Sequence, residues 1–508
     1  MNGTLWALVL YLAGMVAIGL WAARRSGRNL GEFYLGGRRM RDFVVALSAV
    51  VSGRSAWLMM GVVGLTFVYG VRIAWFIPGY VTMELFMFLY AGRRLRRFTG
   101  RYGNVTFIDY LATRFGDRRG VLRVVAVVIV IIFFTAYVGA QLKAGQIMFN
   151  DLLGWESVLK GIVLVAAVVG AYTILGGFRA VSLTDVVQAL FMILGLVVLP
   201  IVGFAVAGGP VTAWSTLQEA VSAPGSVFEL IGFGSLAGVV SGLGIGLASP
   251  GNPHIVVRYM SIDRPERLRM AALVGTVWNV LLGWGAVFTG LAARALYDPA
   301  VIGDAQNRAF LHMSTELFPP FAAGLLMAAL LAAIMSTADS QLLVISSSIT
   351  RDLRQGVFGR GRAMRDTVAV TWGRVSVGAV VVAAALLSWV SAGAAKGGVF
   401  STVFSYVLLA WSGLGASFGP PLLASLYWRR VTWGGALASL ISGTAGCILW
   451  VASGLKARTD INEILPAFAL STLLLVVVSL LTRPPAEADE FLGAMAPTGQ
   501  GDRTSGGA

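Results

Sequence analysis

Hydroxyl and carboxylate side chains lie close together in the middle of an apolar stretch, residues 325–352. At about 100° per residue, five residues of this stretch fall within roughly 160° of one helix face: Ala333, Ser336, Thr337, Asp339 and Ser340. Hydroxyl and carboxylate oxygens are the ligands that small hard cations take in place of water. A carboxylate near the centre of a membrane costs on the order of 3 kcal/mol, so it tends to face a cavity, an ion or a partner. The pattern therefore indicates an ion site, although Ser and Thr that bond back to the preceding helical turn would give the same sequence.

The composition places this stretch in a polytopic membrane protein. Of the 508 residues, 57% are hydrophobic and only 12% are charged, and the mean hydropathy is +0.79. A soluble protein of this size would need far more surface charge. Repeated apolar runs of about 20 residues are instead typical of helices that span a lipid bilayer.

The rest of the composition excludes several classes of function. The net charge of +15 comes mostly from arginines between apolar runs, and the aromatic-plus-basic pattern of a nucleic-acid binder is absent. A single cysteine, Cys447, excludes an internal disulfide framework and a thiolate metal cluster, and His254 and His312 lack metal-ligand spacing. No Ser–His pair, Cys–His pair or phosphate loop is present, so we predict neither an enzyme nor an organic cofactor.

The apolar runs predict about thirteen membrane spans. They lie near residues 4–23, 43–68, 71–92, 121–150, 156–176, 181–206, 229–250, 269–296, 318–350, 367–392, 398–427, 433–453 and 463–482. With this count every arginine-rich loop falls on one side of the membrane, and the alternate loops are poor in Arg and Lys. Because basic loops stay in the cytoplasm, we expect a cell (plasma or inner) membrane protein with its N-terminus outside and its C-terminus inside.

Two predicted spans differ from ordinary lipid-facing helices. The second span, 43–68, carries a polar group in its apolar run: Ser48, Ser52, Gly53, Arg54 and Ser55. The seventh span, 229–250, is rich in glycine and ends before the segment 250–253, which contains two prolines. Interrupted helices at matching places of two inverted halves indicate a binding site near the membrane midplane. Close helix packing through small residues is the alternative for either span alone.

Asp185 lies at the start of the predicted sixth span, where two roles remain open. It either caps the beginning of the helix or acts as an ion ligand on the inner side. His254 follows a proline at a span end, and we interpret it as a structural hydrogen-bonding residue.

Four segments resemble the sodium:solute symporter family, and particularly its proline-type branch. They are RYGNVTFIDYLATRFG at 101–116, AYTILGGFRAVSLTDVVQALFM at 171–192, GNPHIVVRYMSI at 251–262 and AAIMSTADSQLLVISSSITRDL at 332–353. The resemblance extends over nearly the whole chain. In the third segment Asn252 replaces the usual glutamine of the family.

The resemblance implies an all-α fold with a five-plus-five inverted repeat of the leucine-transporter type and flanking helices. It divides the chain into a first helix with a basic loop (1–42), a first five-helix repeat (43–207), a second repeat (208–428), two further helices (429–482) and a disordered cytoplasmic tail (483–508). The oligomeric state is not implied.

The resemblance also implies site residues. A sodium ion would be bound by backbone oxygens of Val51, Arg54 and Ala333 and by the hydroxyls of Ser336 and Thr337. A second, inner ion site matches Asp185, Asp339, Ser336 and Ser340. The substrate would contact Ser55, Trp57, Tyr137, Ser249 and Pro253.

Two departures from the proline-type pattern lie at this site. The branch carries an aspartate in the second span, and this chain has Gly53 there, followed by Arg54. The aromatic pair before the Gly-Asn-Pro-His segment is replaced by Ile245 and Ser249. Arg54 has a permanent charge, and it either pairs with a substrate carboxylate, takes the place of the sodium ion near Asp339, or points into a solvated vestibule.

We therefore predict a secondary active transporter that couples sodium to the uptake of a small organic solute by alternating access. The solute is an amino acid such as proline or a small carboxylate. The alternatives are a sodium-independent exchanger or uniporter, with Arg54 in place of the ion, and a transporter-like solute sensor. The expected partners are the solute, sodium and the lipid bilayer, without nucleic acid.

Overall fold

The structure is a computed structural model that describes residues 2–24, 30–175, 177–223, 226–230, 235–359, 365–393 and 398–497. In this part of the chain the regular elements are helices. In chain order they are α1 (Asn2–Arg24), α2 (Leu30–Leu35), α3 (Asp42–Gly53), α4 (Trp57–Tyr69), α5 (Val71–Arg101), α6 (Phe107–Phe115), α7 (Val121–Leu153), α8 (Val158–Leu175), α9 (Phe178–Val206), α10 (Pro210–Ser222), α11 (Leu236–Gly251), α12 (Pro253–Ser261), α13 (Pro265–Leu296), α14 (Pro299–Ile302), α15 (Ala305–Leu317), α16 (Pro320–Phe358), α17 (Asp366–Ser391), α18 (Val403–Tyr427), α19 (Trp433–Ala452), α20 (Leu455–Thr459), α21 (Ile464–Leu481) and α22 (Ala488–Met495).

Every predicted span coincides with one of these helices or with a bent helix pair. Among the described residues, ten helices are long and apolar enough to cross a membrane, and the pair α3–α4 would make an eleventh. The helices α8 and α11 are apolar but shorter. A polytopic all-helical protein is thus confirmed, while the count of thirteen spans stays a prediction.

The second predicted span is bent at its polar group. The helix α3 ends at Gly53, Arg54 leaves the helical conformation with φ −110° and ψ 68°, and α4 begins at Trp57. The two halves are inclined by 56°. Because the last carbonyl groups of a helix have no partner within it, the bend leaves the carbonyl oxygens at the end of α3 free to accept other ligands.

The seventh predicted span is also interrupted, but it does not end where we predicted. The last part of α11, Ile245–Gly251, is a 3₁₀ segment, Asn252 is extended, and α12 continues to Ser261. The sequence pattern predicts that the two prolines end the span. Proline is compatible with the first turn of a helix, and Pro253 instead begins a second, buried helical segment.

Contacts between loops define a basic end of the helix bundle. Arg38 bonds the carbonyl oxygen of Asn104 at 2.7 Å, and Arg96 bonds that of Ile262 at 2.6 Å. Arg94 bonds the carbonyl oxygen of Leu426 at 2.7 Å. The arginine-rich loops that we predicted on one side therefore meet one another in the structure.

The helix α7 shows where the opposite end lies. Near its beginning Arg123 pairs with Asp352 at 2.8 Å, and near its end Asp151 pairs with Arg308 at 3.0 Å. At 1.5 Å per residue these two pairs are about 40 Å apart. The N-terminal helix reaches this second end, because Thr4 donates a hydrogen bond to the carbonyl oxygen of Pro320 at 2.8 Å.

Part of the C-terminal tail differs from the predicted disorder. Within the described residues it forms α22, which packs on the basic end of α5. The ring of Phe491 contacts that of Phe98 at 5.5 Å, and the hydroxyl of Tyr102 donates to Glu490 at 2.7 Å. Phe491 and Met495, one helical turn apart, bury the apolar face of this short helix. The tail as a whole is rich in Pro and Gly, and this composition predicts disorder although a short amphipathic helix lies within it. The predicted tail residues 498–508 lie outside the described part of the chain.

Candidate ion and solute site

The structure brings the bend of α3 against the middle of α16. The Ser336 hydroxyl donates to the carbonyl oxygens of Val51 at 3.3 Å and Ala333 at 3.2 Å. The Thr337 hydroxyl lies 3.5 Å from the carbonyl oxygen of Val51 and 3.1 Å from that of Ser52. Both hydroxyls are fully buried. Four of the predicted sodium ligands, the oxygens of Val51, Ala333, Ser336 and Thr337, are thus linked by hydrogen-bonding distances, and the backbone oxygen of Arg54 stays a prediction.

This arrangement has the chemistry of a site for a small monovalent cation. A hydroxyl hydrogen that now points at a carbonyl oxygen can rotate away, so the hydroxyl can turn a lone pair towards an ion. The carbonyl oxygens at the C-terminal end of α3 also carry the negative end of its helix dipole, which favours a cation there. No group of three or more His, Cys, Asp or Glu side chains in the described residues forms an alternative metal site.

The predicted inner ion site is built around an arginine that the sequence analysis did not include. Arg258 pairs with Asp185 at 3.3 Å, donates to the Ser48 hydroxyl at 3.1 Å, and bonds the Ser340 hydroxyl. Asp185 also accepts a hydrogen bond from Ser48 at 2.6 Å. Asp339 accepts from Ser340 at 3.2 Å. The structure therefore brings together the predicted residues Asp185, Asp339 and Ser340, with a guanidinium among them.

Two interpretations change as a result. Asp185 does not cap a helix, because α9 begins at Phe178 and Asp185 lies inside it, fully buried. The predicted end of the span at residue 250 places Arg258 in a loop, so the prediction does not include it among the site residues. His254 has the predicted structural role, since its Nε2 lies 3.1 Å from the carbonyl oxygen of Ser52.

The predicted substrate residues are all buried. Three of them, Ser55, Trp57 and Tyr137, have contacts at the bend, and the other two lie on the seventh span. Gln141 donates to the Ser55 hydroxyl at 3.2 Å, and the Trp57 indole donates to the carbonyl oxygen of Gly53 at 2.9 Å. The Tyr137 ring lies 6.0 Å from that of His254. Ser249 and Pro253 flank Asn252 in the interrupted seventh span.

A small cavity next to the bend marks where a solute could enter this group. It is lined by Trp57, Ile245, Phe404 and Trp411 and has a volume of about 10 Å³. That volume is close to the minimum for a single water molecule. Solute binding therefore requires these side chains to separate.

The side chain of Arg54 lies beside this cavity, against Tyr80 and Trp57, and does not contact the hydroxyls of α16. Its guanidinium carbon is 3.2 Å from the centroid of the Tyr80 ring and 5.8 Å from that of Trp57. Its guanidinium group is fully buried, and its Nε and Nη1 have no hydrogen-bond partner. This geometry does not support the alternative in which Arg54 replaces the sodium ion next to Asp339.

The fold and the site define a class of membrane transporters built on interrupted helices. In a comparison with solved structures, the chain is similar to a Na+-coupled sialic acid symporter in a substrate-bound outward-open state. The TM-score is 0.77 at 17% identity, and the match covers 95% of this chain and 98% of the other. It is also similar to Mhp1, a nucleobase-cation-symport-1 family transporter in a closed conformation, with a TM-score of 0.53 at 14% identity over 91% of this chain and 98% of the other. These similarities confirm the predicted leucine-transporter-like fold.

Sequence comparison identifies the family. Residues 33–443 match the model of the sodium:solute symporter family, and the chain belongs to this family. The chain is 38% identical to the high-affinity proline transporter PutP of Bacillus subtilis (strain 168), over 94% of this chain and 98% of the relative. It is 36% identical to the osmoregulated proline transporter OpuE of the same organism, over 95% of each chain. It is 34% identical to the sodium/proline symporter of Staphylococcus aureus (strain COL), over 94% of this chain and 92% of the relative. These relatives are transporters and not enzymes.

Proposed function

We propose that this protein is a sodium-coupled symporter of a proline-like solute, which is an amino acid or a small carboxylate. One observation carries the proposal: the Ser336 and Thr337 hydroxyls meet the carbonyl oxygens at the broken end of α3. Membership in the sodium:solute symporter family supports sodium as the coupling ion. The names of the relatives support proline as the first solute to test.

The sodium ion would be bound by the carbonyl oxygens of Val51, Arg54 and Ala333 and by the hydroxyls of Ser336 and Thr337. Because this set joins the bent helix to α16, sodium binding would hold these two elements together. The solute would bind next to the same bend, against Ser55, Trp57 and Tyr137, with Ser249 and Pro253 on the facing interrupted helix. Each ligand then favours the conformation that binds the other, and the coupling is reciprocal.

The orientation is also part of the proposal. The basic loops meet at one end of the bundle, together with α22. The positive-inside rule places this end in the cytoplasm, so the N-terminus would lie outside and the C-terminus inside.

Uptake of radiolabelled proline into proteoliposomes tests the function. We expect an inward sodium gradient to accelerate uptake over a matched potassium gradient. We expect Ser336→Ala and Thr337→Ala each to raise the sodium concentration for half-maximal uptake by about 10-fold, since each removes one ligand of a buried cation.

Ser347→Ala is the matched control. Ser347 lies on the same helix and its hydroxyl bonds back to the carbonyl oxygen of Val344 at 2.8 Å, away from the bend. Its sodium activation should equal that of the wild type. Unchanged sodium activation in both site variants would refute the ion site. Sodium-stimulated binding without net flux would favour the sensor alternative.

A further inference from the structure

Arg54 is a buried cation without a counter-ion in contact. Only 1% of it is exposed, and two of its nitrogen groups, Nε and Nη1, donate no hydrogen bond. Among the described residues, no Asp or Glu oxygen lies within 4.0 Å of its guanidinium. A charge that is removed from water without a partner strongly destabilises a protein. The buried carboxylate of Glu84 acts on Arg54 only from beyond this distance and accepts a hydrogen bond from Asn279, so the free N–H groups of Arg54 are open to an anionic ligand.

The contact with Tyr80 offsets only part of this cost. The guanidinium carbon lies 3.2 Å from the ring centroid, and a buried cation–π contact is weaker than the loss of hydration of a buried charge. A contact over the ring uses the face of the planar guanidinium. The N–H groups of Nε and Nη1, which lie in its plane, stay without a hydrogen-bond partner and can donate to the oxygens of a carboxylate.

Other hydroxyl donors lie near the bend. The Ser249 hydroxyl is buried without a hydrogen-bond partner, and the buried hydroxyls of Tyr80 and Tyr137 lie close to Glu84 and Ser55. Tyr137 packs against His254, which itself contacts the end of α3. A hydroxyl can donate to an anion, so these side chains add to Arg54 a set of donors around the proposed solute position.

Gly53 explains why an acidic side chain is absent beside Arg54. A Cβ atom at this position would collide with the Tyr80 hydroxyl and would lie 3.0 Å from Ile255. Any side chain at position 53, an aspartate included, would therefore require the Tyr80 ring to move. This chain thus has a cation, and no anion, at the turn between α3 and α4.

From these contacts we infer that Arg54 binds the carboxylate of the solute, and that the solute class is small organic carboxylates for which an ammonium group is not required. The inference rests on the proposed function in that it assigns a ligand to the same site. The inference requires only that the carboxylate binds at Arg54. The proposed function also requires that sodium drives transport.

Matched pairs of carboxylates and amides test the inference on the purified full-length protein. The probes are L-proline and prolinamide, cyclopentanecarboxylate and cyclopentanecarboxamide, and propionate and propionamide, each titrated in sodium while the melting temperature is followed. We expect carboxylates to stabilise the protein and their amides not to do so. Cyclopentanecarboxylate, which lacks the ammonium group, should bind at least as tightly as L-proline. Equal stabilisation by the amides, a strict need for the ammonium group, or no stabilisation by any carboxylate would each overturn the inference.

Two variants at position 54 connect this selectivity to the guanidinium. Arg54→Gln should weaken carboxylate binding on the order of 10- to 100-fold, because a buried charge-assisted hydrogen bond is lost. Arg54→Lys keeps the charge but not the planar donors of the guanidinium. Its affinity for carboxylates should fall between that of the wild type and that of Arg54→Gln. If Arg54→Gln folds and binds carboxylates like the wild type, the inference is wrong.

Arg114→Gln serves as the control for loss of a buried arginine. Arg114 is also fully buried, and its Nε donates to the carbonyl oxygen of Ser425 at 2.9 Å, within the basic end of the bundle. This variant should change stability but not the preference for carboxylate over amide. If carboxylate selectivity depends on Arg54 but sodium does not stimulate uptake, the proposed function is refuted and the inference stands.

Discussion

Arg258 places a fixed positive charge between two buried carboxylates. It pairs with Asp185 and bonds Ser340, next to Asp339, and all of these side chains are essentially inaccessible to water. With both carboxylates ionised, the group carries one net negative charge. A single sodium ion at the neighbouring site of Ser336 and Thr337 would balance it. Arg258 thus contacts two of the residues predicted for a second ion site, Asp185 and Ser340.

Removing this charge should make folding depend more strongly on cations. We expect Arg258→Gln to lower the melting temperature in sodium-free buffer, because two carboxylates then remain buried with no cation between them, a loss of about 3–5 kcal/mol. Added sodium should restore more stability to the variant than to the wild type. The measurement is the melting temperature against sodium concentration, with choline as the replacement ion. A variant as stable as the wild type in choline would show that Arg258 does not compensate these carboxylates.

Among the site residues, those that helix spacing and polarity indicate could be predicted from the sequence. The residues Ser336 and Thr337 share one face of α16, and the break at Gly53 was visible as a polar group in an apolar span. The contact between them could then be inferred from the family resemblance. Arg258 could not, because its helix follows two prolines that also fit the end of a span. A charged residue four positions after His254, in an otherwise apolar segment, was the available signal.

Close approach between helices holds the two interrupted elements in place. Gly246, in the 3₁₀ part of α11, lies against the backbone of Gly79 in α5, and a Cβ atom there would collide with the Gly79 carbonyl group. The same segment, Ile245–Gly251, also contacts Trp411, whose indole donates to the carbonyl oxygen of Ile245 at 2.9 Å. Sequence patterns show that glycine is frequent here but not which backbone it faces.

An alanine at this contact should therefore destabilise the protein. We expect Gly246→Ala to reduce stability by about 1–3 kcal/mol, the usual cost of overpacking. Gly378→Ala is the control: Gly378 lies in α17 with open space around its Cβ position, and alanine there should be neutral or stabilising by up to about 1 kcal/mol. The measurement is the melting temperature of each purified variant compared with that of the wild type. Equal effects at the two positions would mean that the contact between α5 and α11 does not constrain the break.

For the whole molecule, the sequence predicted the fold class better than the details of its ends. The spacing of apolar runs and basic loops was sufficient for a polytopic bundle with its arginine-rich loops together. The short helix α22 was not predicted, since two buried side chains, Phe491 and Met495, do not stand out in a tail rich in Pro and Gly. Its docking between α5 and Arg429, which pairs with Asp489 at 2.7 Å, is a tertiary effect.

The orientation of the bundle is the last property that its charge distribution predicts. The single cysteine is buried, so Cys447→Ser provides a background without thiols for reporter cysteines. Ser215, exposed on α10, belongs to a loop poor in basic residues, and Glu266, at the start of α13, belongs to the basic end. We expect a membrane-impermeant maleimide to label Ser215→Cys on intact cells and Glu266→Cys only after permeabilisation. Neither substitution removes a positive charge, so the basic loops that set the topology stay unchanged. The opposite labelling pattern would place the N-terminus in the cytoplasm, and it would require the solute to enter from the end of the bundle that we assign to its release.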